Sequence, residues 1–108
     1  MTPAEPTVTE RFTGTIGVGG ARFYSFTVGK YGTVNVVLNS LSGVDGNVQV
    51  GVGVGVPSGF TCGTNTNQTG ASGLTLSAPY QPGIYCARVS DVGNLSATTS
   101  FDVTIAHP

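Results

Sequence analysis

The sequence predicts an all-β fold, a two-sheet antiparallel β-sandwich of jelly-roll or immunoglobulin-like type with about seven to eight strands. Three observations carry this. Short runs place apolar residues at every second position. Glycine and proline punctuate those runs at short intervals. No ten-residue window spaces apolar residues three to four apart, so helix signals are nearly absent. Strands with one apolar face bury it against a second sheet or by rolling into a barrel.

The elements follow in order. Residues 1–9 read as an N-terminal extension or linker, residues 10–106 as the domain and residues 107–108 as a tail. Arg11 to Ile16 alternate, and Gly17 to Gly20 turn the chain. Tyr24, Phe26 and Val28 share a face of the next strand, which Gly29-Lys30-Tyr31-Gly32 turns. Val34, Val36 and Leu38 line a third. In the fourth, NVQVGVGVGVPSG, Val48, Val50, Val52, Val54 and Val56 face the core. Gly51, Gly53 and Gly55 then form a bare outer strip. Glycine in a strand costs stability, so a neighbouring backbone, an aromatic ring or a ligand is expected to lie on it. The polar stretch from Cys62 to Ser72 reads as a surface loop. Leu74, Leu76 and Ala78 mark a short strand, closed by Pro82-Gly83. Tyr85, Ala87 and Val89 line the next, and Phe101, Val103 and Ile105 the last.

Composition narrows the function classes. The 108 residues suit one domain. Charged residues are only 8% and the net charge is -1. Four Lys/Arg give no electrostatic reach for nucleic acid or anionic lipid. Little charge keeps copies apart, so self-association is cheap. No run is long enough for a membrane helix. MTPAEPTVTE lacks the basic start and apolar core of a signal peptide. In this charge-poor, Gly/Thr/Ser/Asn-rich chain, Cys62 and Cys86 are expected to be oxidised to a disulfide, the alternative being two buried thiols. With one distant histidine they make a poor metal site.

Longer motifs resemble a known family. Gly19-Gly20, then Tyr24-Ser25-Phe26-Thr27-Val28, Gly32 and Thr33-Val34-Asn35-Val36-Val37-Leu38 look like the start of a bacterial pre-peptidase C-terminal (PPC) type domain. Pro82-Gly83-Ile84-Tyr85-Cys86-Ala87-Arg88-Val89 and Ser100 to Ile105 resemble its later strands. The resemblance covers residues 10 to 106. It implies a jelly-roll sandwich in secreted bacterial proteins, often beside a protease domain, with some members binding extracellular polymers and some taking calcium. The fourth strand departs from the family pattern. Gln49, Gly51, Gly53 and Gly55 stand where aspartates and aromatics are usual.

The candidate sites are few. His107 lies next to the end, where no third group is expected to hold it as a catalytic base. Glu5, Glu10, Asp45, Asp91 and Asp102 are scattered over five segments. Asp45 and Asp91 sit in Asx-Gly turn sequences, and a calcium ion, if one binds, would be sought there. The glycine-rich runs lack the helix and lysine of a phosphate loop. Phe23, Tyr31, Phe60 and Tyr80 fall off the core phase or in turns, and with the glycine strip they are the candidate contact residues.

The expected function is a non-catalytic, secreted or cell-surface bacterial accessory or adhesion module contacting extracellular polymers or proteins, without cofactor. The alternative is a self-associating structural subunit of a surface layer or filament, with Ala4 to Thr9 adding as a strand to a neighbouring copy.

Overall fold

The computed structural model describes residues 2–42, 48–93 and 95–108. Its strands are β1 (Val8–Ile16), β2 (Ala21–Val28), β3 (Gly32–Ser42), β4 (Val50–Ser58), β5 (Thr61–Gly70), β6 (Thr75–Tyr80), β7 (Gly83–Ser90) and β8 (Thr99–His107). They form two four-stranded sheets, in the orders β1-β8-β3-β6 and β2-β7-β4-β5. Every strand pair is antiparallel. The pairs β1·β8, β2·β7, β3·β6 and β4·β5 are those of one long hairpin wrapped into a jelly roll. The expected sandwich is the observed architecture.

The inward phases read from the sequence build one core. Phe12 and Ile16 of β1, Val34, Val36 and Leu38 of β3, and Val103 and Ile105 of β8 face Phe26, Val28, Val52, Val54 and Val89 from the other sheet. Period-two alternation suffices here because each sheet has one face against the other.

Four boundaries differ from the sequence reading. The polar stretch expected as a loop contains β5, an edge strand laddered to β4 from Val50↔Gly70 to Ser58↔Thr61. Its side chains are mostly exposed, so no apolar alternation announces it, and main-chain pairing defines it. Val56, expected in the core, is exposed. A register shift lies between Val54 and Gly55, and the pairing of β4 with β7 ends at Gly55↔Cys86. Beyond that point β4 and β5 continue as a two-stranded ribbon.

The third difference is at residues 107–108. β8 runs through His107, and both His107 and Pro108 are buried. The alternation of Phe101, Val103 and Ile105 places His107 at the next inward position. The fourth is at residues 1–9. β1 begins at Val8, and Ala4 forms a parallel bridge to Gly32. The Ala4 amide donates to Tyr31 O at 3.1 Å, and the Thr33 amide donates to Ala4 O at 2.9 Å. Gly32 has no side chain because a Cβ there would strike the Pro108 ring and Ala4 O. Ala4 therefore pairs with its own chain.

Candidate functional site

Two groups of residues depart from the simple rule of apolar inside and polar outside. The first is at the start of β1. Glu10 occupies the inward phase of Phe12 and Ile16, and its Oε2 lies 2.5 Å from His107 Nε2. Tyr24 of β2 donates its hydroxyl to Glu10 Oε1 at 2.6 Å. The His107 ring stacks on Phe26 at 5.3 Å, and its Nδ1 lies 3.0 Å from Pro108 O. The Tyr24 hydroxyl, then His107, holds the Glu10 carboxyl below the usual carboxylate range. The carboxylate in turn raises the Tyr24 phenol above its ordinary value. Three strands from both sheets are thus tied by one carboxylate. No serine, threonine or cysteine is hydrogen-bonded to His107 among the described residues, so the set lacks the nucleophile of an acyl-transfer triad. Its geometry is that of a clasp between the two sheets and the two chain ends.

The second group is built by the β4–β5 ribbon. Past Gly55 the ribbon folds across the outer face of its own sheet, and Cys62 reaches over β4 to bond Cys86 of β7, with Cα atoms 6.0 Å apart. The expected disulfide is present. Gly55 makes the crossing possible, because a Cβ there would strike the main chain of Gly63 and Thr64. At Gly53 it would meet Asn67 and Thr64, and at Gly51 Ser90 and Val92. The glycine strip is therefore covered by the same chain, by the main chain of β5 at Gly55 and by side chains of β5 and of Ser90 and Val92 at Gly53 and Gly51.

At the tip, Gly59 takes φ 61°, the left-handed region that turns the ribbon. Phe60 follows, 99% exposed. It overhangs an open groove of about 320 Å³ lined also by Ala21, Arg22, Phe23, Thr61, Cys62 and Arg88. A second opening shares Ala21, Arg22, Phe23 and Phe60 and continues over the edge to Phe12 and Thr13. Phe23 and Arg88 stand opposite each other in the β2·β7 ladder. Among the described residues, no carboxylate lines either opening.

The cations are unevenly placed. Arg11 is paired with Asp102 across β1 and β8, which lowers the Asp102 carboxyl and raises the Arg11 guanidinium through their hydrogen bonds. Arg22 donates Nε to Thr15 O at 2.7 Å. The Arg88 side chain has no hydrogen bond or ion pair among the described residues. Arg22 and Arg88, two of the four Lys/Arg residues, therefore both line the groove.

Of the aromatics singled out in the sequence, Phe23 and Phe60 come together here. Tyr31 and Tyr80 do not. Tyr31 lies half-buried in the turn between β2 and β3. Tyr80 packs edge-on to Tyr85 at 4.9 Å, against the core. Arg22 and Arg88 are not among the sequence candidates, and Glu10 stands there only as one of five scattered carboxylates, without its partners Tyr24 and His107. The outward phase that Arg88 shares with Cys86, and the inward phase that Glu10 shares with Phe12, were the available signals.

Asp45 lies outside the described residues. Asp91 accepts the amides of Gly19 at 2.7 Å, Gly93 at 2.8 Å and Leu95 at 3.2 Å. Its oxygens hold turns through these amides. Among the described residues, no three His, Cys, Asp or Glu side chains cluster as a metal site, and no helix is long and apolar enough to cross a membrane.

No protein-family model matches the chain, and no curated protein matches it. Among solved structures, the crystal structure of the Yersinia pseudotuberculosis-derived mitogen (YPM) is similar, with a TM-score of 0.64 over 95% of this chain and 87% of that one. At 17% identity the likeness is one of fold.

Proposed function

We propose that this chain is a non-catalytic contact module of a secreted bacterial protein, holding extracellular polymers or proteins through the groove beneath Phe60. The single observation that carries this reading is Phe60 itself. A phenylalanine ring left 99% exposed gains nothing from folding. The ribbon that displays it is nevertheless tied down by a disulfide, and two arginines stand below it. Such a ring, next to charged groups, is the composition of an interface anchor. The disulfide is at home in an oxidising compartment. The resemblance to PPC-type domains supports an accessory role beside another domain. The titratable cluster at His107 is consumed by its own contacts, which favours a structural use for it.

An array of extracellular proteins and glycans tests the reading. The native chain is expected to bind at least one class of target, and Phe60→Ser to lose that binding while the fold is kept. Binding that ignores Phe60→Ser, or silence across the array, would overturn it.

A further inference from the structure

Resting on that reading, we infer that the groove takes an extended acidic segment of a partner protein. Its carboxylate sits at Arg88, with Arg22 at the strand edge adding positive charge, and an apolar side chain lies against Phe23 and Phe60. Charge is the first argument. The chain has few cations, Arg11 is neutralised by Asp102, and both Arg22 and Arg88 line a groove that no carboxylate of the described residues reaches. A bound carboxylate would give Arg88 the ionic partner it lacks among the described residues, and guanidinium groups match carboxylates in a two-pronged geometry.

Surface chemistry is the second argument. The rings at the groove are phenylalanines, without a hydroxyl, and among the described residues Thr61 is the one hydroxyl side chain in its outer-face portion. A sugar chain presents many hydroxyls that each need a partner, and this lining offers few. A peptide with alternating acidic and apolar side chains needs only the cations and the rings.

Topology is the third. β2 is the edge strand of its sheet, so Ala21, Arg22 and Phe23 lie where a further extended segment can pair along the main chain. The openings flank that edge on both sides.

The test is a titration of isotope-labelled protein followed by amide NMR shifts, with three probes. These are the blocked peptide acetyl-VEFEV-amide, its glutamine counterpart acetyl-VQFQV-amide, and trigalacturonate, an acidic sugar chain. The acidic peptide is expected to shift the amides of Phe23, Phe60 and Arg88 saturably. Its affinity should fall about fivefold or more for the glutamine peptide and for Arg88→Gln, with Arg22→Gln as the second variant, and fall again as salt rises. Equal affinity for both peptides, no saturable shift of those amides, or tighter binding of trigalacturonate there would each overturn the inference. If Phe60→Ser abolishes array binding while the acidic peptide leaves the groove unmoved, the partner class is wrong and the contact function stands. If the peptide titrates the groove but array binding ignores Phe60→Ser, the contact function fails and this inference with it.

Discussion

The clasp at Glu10 and the ribbon at Phe60 break the same rule in opposite directions. One puts a carboxylate and an imidazole at inward positions, and the other puts a phenyl ring in water. The clasp answers its own cost. Tyr24 and His107 both bond Glu10, and no buried side-chain polar atom among the described residues lacks a partner. The ribbon leaves its cost standing, since Phe60 is 99% exposed and no other described side chain covers it. A polar group satisfied inside the fold points to structure, and an apolar group unsatisfied outside it points to a partner.

The largest expected effect comes from cutting what holds the ribbon. The Cys62–Cys86 link closes a loop with a sequence separation of 24. In the chain-entropy model its loss costs about 3 kcal/mol. Paired Cys62→Ser and Cys86→Ala substitutions should therefore lower the urea midpoint strongly. Amide exchange should accelerate first in β5, whose edge position leaves it only β4 to pair with. Uniform acceleration across both sheets would mean that the ribbon is not a separate unit, and the contrast with the clasp would fail.

Breaking the clasp comes next. Glu10→Ala strips a partner from both Tyr24 and the buried His107 ring, a loss of about 2 kcal/mol. Glu10→Gln keeps the shape and should cost less. The pH dependence has a fixed sign. Glu10 has a depressed folded pKa, so its contribution is present above the ordinary carboxylate range and is lost as pH falls through the folded value. Tyr24 has a raised folded pKa, so its contribution is present below the ordinary phenol range and is lost as pH rises through the folded value. Denaturant midpoints measured against pH should show a plateau between these limits in the native chain. Both flanks should flatten in Glu10→Ala, and unchanged flanks would show that other groups set the profile.

The glycine strip gives a graded comparison within one strand. A methyl at Gly55 meets main-chain atoms of Gly63 and Thr64, which cannot move aside cheaply, whereas at Gly51 the neighbours are side-chain atoms of Ser90 and Val92. Gly55→Ala should cost about 1–2 kcal/mol and Gly51→Ala less. Thermal midpoints in the reverse order would show that β5 does not press on β4 as described.

These residues also show what the sequence makes legible. The sandwich was readable because Val34, Val52 and Val103 alternate with polar neighbours, and that period survives in any two-sheet packing. The disulfide was readable from composition. β5 was not, since an edge strand of Thr, Asn, Gln and Gly is held by ladder bonds and one Cys62 link, neither of which leaves a hydropathy pattern. Phe23 and Phe60 were found as off-phase aromatics, but their meeting depends on a ribbon that folds back over its own sheet. The place of His107 is hard to read because it stands beside the chain end, although its phase continues Val103 and Ile105.

The smallest stability effect should come from Phe60→Ser, and that is why it separates the two regions best. A side chain 99% exposed has almost no burial to lose, so the change should fall within about 0.5 kcal/mol of the native chain. Solubility should rise as the exposed ring is removed. A stability loss comparable to that of Glu10→Ala would mean that the ring is packed in solution, the ribbon having closed onto Phe23. The groove would then be a minor core and not a surface kept for a partner. A neutral thermal midpoint combined with lost target binding would leave Phe60 with one role, outside the molecule that carries it.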